Sequence, residues 1–241
     1  MMTPVSPFGP LDVYLLGEVP FVDLQRLQRR LRYDLGEGGW GSLVLCEHPA
    51  TITVGRSGSR AHIVPDDEWL HRRGLETIWV NRGGGCVLHV PGQLATYAIV
   101  PLDRLGLDVQ GHIDRLTRTL LGLLAEFDLK GTTFPGMPGV FLGRSRVASL
   151  GIAVHRWVAF FGFTLNVGPY LGPFSLLSEP GLDRHPLYQT SMESRRQRPA
   201  PMAKVREALV RHFEASFGYD GHHLHMGHPL VRRKAPAHVF A

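Results

Sequence analysis

The sequence predicts a mixed α/β domain. Three observations lead there: short apolar runs read as strands, segments with an apolar residue every three or four positions read as helices, and the two kinds alternate in mixed order. With 241 residues, 44% hydrophobic and 20% charged, the chain can bury one large core or two small ones. One domain over residues 1–217 is expected, followed by a tail over residues 218–241.

Taken in order, residues 11–16 read as a first strand. Phe21, Leu24, Leu27 and Leu31 share one face of a helix that begins after Pro20, since the first turn has no use for the N–H that proline lacks. Strands follow at 41–46 and 50–54. Pro65-Asp66-Asp67-Glu68 sets acidic residues against the positive end of a short helix that stops near Gly74. Residues 77–80 lead into a glycine-rich loop, and residues 94–100 form the return strand. Ile113, Leu116, Leu120, Leu124 and Phe127 mark a long amphipathic helix, and residues 140–142, 147–154 and 157–167 a strand-rich second half. Thr190-Ser191-Met192-Glu193 has the spacing of a capping box, in which a hydroxyl and a carboxylate satisfy a helix start. Arg198-Pro199-Ala200-Pro201 is a rigid connector to a closing helix at about 202–217, and the remainder is expected to be poorly ordered.

The net charge of +5 comes almost wholly from arginine, the only lysines being Lys130, Lys204 and Lys234. A basic surface suits an acidic partner. Nucleic acid is not expected, because no recognition motif and no aromatic residues interleave a basic stripe. The first residues lack a basic segment followed by an apolar one, and no apolar run spans a bilayer, so a cytoplasmic protein without membrane contact is expected. Cys46 and Cys86 read as free thiols in a reducing compartment, with Cys46 buried at a strand end. His222, His223, His225 and His228 invite a metal reading, but without a rigid element to fix their geometry no metal or other cofactor is expected.

The most informative stretch runs from Arg82 through Gly83, Gly84, Gly85, Cys86, Val87 and Leu88 to His89, and on to Val90-Pro91-Gly92-Gln93. Residues without Cβ adopt positive φ and let a ligand approach backbone N–H groups, while Arg82 and His89 bracket the loop with charge and proton-transfer capacity. The same pattern equally describes a glycine-rich hairpin with a satisfied histidine.

Other segments tip the balance. The stretch resembles the octanoyltransferase family of lipoate biosynthesis, whose members carry Arg-Gly-Gly, His and Pro-Gly-Gln at this spacing. Glu47-His48-Pro49-Ala50-Thr51-Ile52-Thr53-Val54-Gly55-Arg56, Pro138-Gly139-Val140-Phe141, Val147-Ala148-Ser149-Leu150-Gly151, Gly162-Phe163-Thr164-Leu165-Asn166-Val167 and Thr190-Ser191-Met192 match further family segments in the right order, over about residues 40 to 195. The resemblance implies the fold of biotin and lipoate protein ligases, with a central sheet, flanking helices and an acyl tunnel. It implies a substrate wall of Arg82, Gly83, Gly84, Gly85, Cys86, Val87, Leu88 and His89 with Ser149, Leu150, Gly151, Gly162, Phe163 and Thr164. Glycines in that wall are expected to leave room for a lipid chain. The implied partners are octanoyl-acyl carrier protein and the lipoyl domains of 2-oxoacid dehydrogenases or the glycine cleavage H protein.

The chain departs from the resemblance at the chemistry. The family's lysine falls on Arg146 and its cysteine on Pro180, and no cysteine follows Cys86. The implied thioester intermediate therefore has no sulfur to form on, whereas Arg146 keeps a positive charge that can steady an oxyanion but exchanges no proton. His89 matches the family's histidine, with either a proton-transfer or a loop-fixing role, so Arg146 and His89 are the catalytic candidates. Cys86 lies three residues before His89, on the opposite face of extended backbone, and reads as a packed thiol. Three functions follow: octanoyl transfer without an acyl-enzyme, an inactive octanoyl- or lipoyl-binding module, and an ATP-dependent lipoate or biotin ligase.

Overall fold

Strands that are apolar at nearly every position form the centre of the molecule, and the computed structural model describes residues 9–36, 38–178 and 187–231. β6 (Gln93–Pro101) is buried along its whole length, as a strand covered on both faces must be. Antiparallel to it run β2 (Ser42–Glu47) and β10 (Val158–Asn166). Beyond β10 the sheet continues through β9 (Ser145–His155), β8 (Met137–Leu142) and β7 (Thr132–Phe134). On the other side β1 (Leu11–Glu18) joins β2 in parallel, completing a mixed sheet with the predicted α/β character.

The period-two alternation of side chains decides which helix each residue meets. Leu43, Leu45, Leu94, Ala98 and Val100 share a core with leucines of α3 (Val109–Glu126) and with Val205, Leu209 and Phe213 of α5 (Met202–Phe217). Their neighbours Val44, Cys46, Ala95, Tyr97 and Ile99 pack instead against Phe21, Leu24, Leu27, Leu31 and Leu35 of α1 (Phe21–Gly36). Helices thus cover both faces of the sheet.

A second, three-stranded sheet places β3 (Thr51–Val54) parallel to β4 (Glu76–Trp79) and antiparallel to β5 (Cys86–His89). It has its own core, with Ile52, Val54 and Leu88 against Leu70 of α2 (Asp67–Arg72). Asp66 caps α2 by accepting the Trp69 N–H at 2.7 Å, in keeping with the acidic start of that helix.

Three expectations need correction. The glycine stretch is not one long loop, because residues 86–89 pair with β3 and place Cys86 and His89 on a strand. The described part of the C-terminal tail is not loose either: β11 (His222–His225) adds in parallel to the open edge of β1. His225 Nε2 meets Asp12 Oδ1 at 2.8 Å and its ring stacks on Tyr14 at 4.6 Å. The polar His-His-Leu-His run hid this strand, since an exposed edge strand needs no apolar alternation. Finally, the helix cap is shifted by one residue. Ser191, not Thr190, caps α4 (Met192–Arg196) by accepting the Ser194 N–H at 3.1 Å, and Glu193 Oε1 accepts from the Ala200 N–H.

Candidate functional site

The glycine loop links the two sheets. Gly83 N–H donates to the Ile152 carbonyl of β9 at 2.8 Å, while the carbonyls of Arg82, Gly84 and Gly85 accept from Arg56, Ser57 and Gly55 just after β3. Gly84 has φ +83°, a conformation open to glycine at little cost. Arg82 is 6% exposed, and its guanidinium donates to the carbonyls of Gly83, Gly85 and Thr53 and to Thr53 Oγ1 at 2.8–3.2 Å. A buried guanidinium needs several acceptors, and here the loop supplies them. Arg82 is thus a clamp on its own loop.

Where this loop meets β9, β10 and the start of α1 there is a cleft. Its wall includes Arg82, Val87, His89, Ser149, Leu150, Gly151, Gly162, Phe163 and Thr164 from the expected set, joined by Phe21, Tyr97 and Phe161. Sequence reasoning missed those three aromatics. Phe161 has φ +63°, and its N–H is held by Gln28 Oε1 of α1 at 2.9 Å, a kink that no local motif announces. Gly83, Gly84 and Gly85 contribute the loop behind the wall rather than the wall itself. Cys86 and Leu88 face a neighbouring small cleft with Gln93, Ser149 and Gln189. The Cys86 thiol donates to the Ser59 carbonyl at 3.6 Å, as a packed thiol does.

The wall glycines are small for a reason other than the expected one. A Cβ on Gly151 would lie 2.5 Å from the Gly83 carbonyl, and one on Gly162 would collide with the Thr96 carbonyl. Neighbouring backbone, not lipid, occupies that space. The cavity itself holds only about 30 Å³, room for about one water molecule, so an acyl chain enters only if the aromatic side chains of the wall turn aside. Gly151→Ala is expected to push the glycine loop off β9 and destabilise the protein by about 1–3 kcal/mol. Thermal unfolding would read this as a drop of roughly 2–4 °C per kcal/mol.

Beneath the cleft, His48, Tyr97 and His89 form a buried polar cluster. His48 Nδ1 donates to the Val19 carbonyl, which leaves Nε2 to accept from the Tyr97 hydroxyl at 2.7 Å. Burial pushes His48 down to about 4 and the Tyr97 phenol well above its ordinary range. His89 is held well below the usual imidazole range by burial, with His48 and Arg82 adding to the effect. Both imidazoles are neutral at pH 7 and store no proton for delivery. Cys46, 3.7 Å from His48 Nε2, has its thiol pushed far up by burial and is no nucleophile.

Gln93 bridges β5 to β10: its amide donates to the Leu88 carbonyl and to Asn166 Oδ1 at 2.8 Å, and Asn166 donates to the Thr190 carbonyl. This chain fixes the segment after residue 186, whose Tyr188 carbonyl and Thr190 N–H pair with the backbone of Arg146. The Arg146 guanidinium lies 5.5 Å from the centre of the Phe141 ring and does not join His89 at the cleft wall. Ser149, the first wall residue on that strand, is about 10 Å further along at the rise of extended backbone. Pro180 lies outside the described residues.

A mixed eight-stranded sheet, helices on both faces, and a smaller sheet tied on by an arginine-clamped glycine loop define a ligase-type α/β catalytic domain. Residues 24–214 match the family described as the lipoyl protein ligase A/B catalytic domain, and the chain belongs to that family. It is 35% identical to the octanoyltransferase of Citrifermentans bemidjiense over 178 residues, covering 74% of this chain and 84% of that protein. The octanoyltransferase of Geobacter metallireducens is 32% identical over 199 residues, covering 82% and 89%. In fold, the chain is similar to a bi-partite lipoate protein ligase from Thermoplasma acidophilum, with TM-score 0.65, 18% identity and coverage of 90% and 87%. No helix among the described residues is long and apolar enough to cross a membrane.

Proposed function

We propose that this protein transfers octanoyl groups from acyl carrier protein to a lysine of lipoyl domains, by direct attack of the neutral acceptor amine on the carrier thioester: the C–N amide bond forms, the C–S bond breaks, and the carrier leaves as its thiol with the proton lost by the amine. The observation that carries the reading is the aromatic cleft under the glycine loop, which gathers nine of the expected wall residues in a chain whose relatives are named octanoyltransferases. An acyl-enzyme has no support. The family's cysteine position falls on Pro180, the two cysteines Cys46 and Cys86 are both buried, and the Cys46 thiol is raised far beyond use. What remains for catalysis is proximity and hydrogen-bond donors at the carbonyl, which together can lower a barrier substantially.

The test is a single reaction holding purified protein, octanoyl-acyl carrier protein and a lipoyl domain, followed by intact-mass spectrometry. Octanoylated lipoyl domain with sequential kinetics and no octanoyl adduct on this chain is expected. A covalent adduct during turnover would overturn the direct route. One observation favours a second reading: Arg146, the cation expected to steady the oxyanion, lies over the Phe141 ring at 5.5 Å and is not part of the cleft wall. Octanoyl-carrier binding without any transfer would establish that reading, an acyl-binding protein that presents its ligand to another enzyme.

A further inference from the structure

The turn that joins β9 to β10 is held against the preference of its residues. His155 pairs with Val158, which leaves Arg156 and Trp157 as a two-residue hairpin loop with φ +49° and +62°. Both central positions of such a turn need left-handed backbone, which glycine and asparagine adopt readily and bulky side chains do not. Trp157 is nonetheless 59% exposed, so little packing offsets the strain. Strained backbone that displays a large indole to solvent points to a role outside folding.

The surroundings of the turn say what meets it. Arg156 is exposed beside the indole, and Val154 adds exposed apolar surface. On the α1 side, Phe160 carries the Arg32 guanidinium over its ring at 4.1 Å. Arg32 Nε is buried with no hydrogen-bond partner, and Arg29, one turn earlier on the helix, is exposed. Among the described residues, none of Arg29, Arg32 and Arg156 pairs with a carboxylate. Arg104 adds a further charge, balanced by Asp103 beside it, next to Leu102, whose N–H meets the Trp157 carbonyl at 2.8 Å. An exposed tryptophan alongside unpaired arginines has the composition of an interface hot spot, and its charge fits an acidic protein surface.

Position narrows the partner. From Trp157 the strand passes through the half-buried Val158 and Phe160 to Phe161, which lines the cleft, and Gly162 on the wall is roughly 17 Å from the tip at the rise of extended backbone. A protein seated on the tip must span that interval. A lysine, with its four-carbon stem, does not, whereas an acyl group carried as a thioester on a long flexible arm does. We propose that the turn between β9 and β10 is the docking point for the acyl donor: an acidic carrier domain that sets carboxylates against Arg156, Arg32 and Arg29, packs on Trp157, and lays its acyl arm along Val158 and Phe160 into the cleft. This rests on the acyl-transfer reading above and adds the surface through which the donor is recognised.

The test compares two donors, octanoyl-acyl carrier protein and the small S-octanoyl pantetheine, which brings the acyl arm without the protein. In calorimetry, Trp157→Gly and Arg156→Glu are each expected to weaken octanoyl-carrier binding roughly tenfold or more, the loss typical of an interface anchor, and to leave S-octanoyl pantetheine binding as in wild type. Added salt should weaken carrier binding to the wild-type chain and much less to Arg156→Glu. Trp157→Gly also separates docking from misfolding, because glycine relieves the left-handed backbone and its unfolding temperature is expected to match or exceed that of wild type. Carrier binding unchanged in both variants, or a loss of lipoyl-domain binding in its place, overturns the docking surface while the acyl-site reading stands. A loss of S-octanoyl pantetheine binding equal to the carrier's overturns it too, since the turn would then act through the cleft. Failure of the wild-type chain to bind either donor overturns both.

Discussion

Arg82→Met is expected to cost about 3–5 kcal/mol of folding stability, because it removes one buried cation and strands the carbonyls of Gly83, Gly85 and Thr53 together. Set against a total stability of roughly 5–15 kcal/mol, this is enough to leave the protein marginal. Urea unfolding would show it as a lower midpoint. Arg82→Lys should recover little, since one ammonium cannot reach acceptors lying on both sides of a planar fork. A methionine variant within about 1 kcal/mol of wild type would show that water or a shifted loop takes over those carbonyls, and that the clamp is not what fixes the glycine loop.

The elements buried on a regular period were legible in the sequence. The stripe Phe21, Leu24, Leu27 and Leu31 does lie on the buried face of α1, and the run from Leu94 to Val100 is the central strand, because burial on that scale leaves few polar residues to blur the pattern. β11 and β5 were not legible. One is an edge strand with polar side chains, and the other follows three glycines that read as loop until Thr51, Thr53 and Val54 are found opposite His89, Val87 and Cys86. The wall of the cleft was legible only where family motifs supplied it. Phe21, Tyr97 and Phe161 come together from α1, β6 and a kink in β10, three places far apart in sequence whose meeting depends on how the helix packs on the sheet. Gly151 and Gly162 were rightly singled out but for a mistaken cause, since the sequence cannot say that a carbonyl occupies the space where Cβ would stand.

Acid is expected to unfold the protein more effectively than its mostly exposed ion pairs would suggest, and buried histidines carry the effect. His112 is fully buried between α3 and α5, edge-on to Phe217 at 5.5 Å, and neither ring nitrogen has a hydrogen-bond partner among the described residues. Burial, with Arg115 adding to it, pushes its pKa down to about 4, and burial alone does the same for His48. An unfolded histidine titrates near 6.5. The folded pKa is depressed, so each group's contribution is fully present above pH 6.5 and is lost as pH falls toward 4, where the unfolded chain has taken up a proton that the folded chain refuses. At about 1.4 kcal/mol per pH unit, each of the two sites accounts for about 3 kcal/mol over that window. His89, which burial also holds well below the usual imidazole range, adds to the loss in the same direction. Urea midpoints measured from pH 7.5 down to 4.5 should therefore fall steeply. His112→Leu provides the discriminating comparison: it removes two unpaired nitrogens from an apolar site, so it should be at least as stable as wild type at pH 7.5 and clearly more stable at pH 4.5. If the leucine variant loses stability with pH as steeply as the parent, His112 is not a proton-linked site, and the acid response must be sought in the carboxylates at the surface.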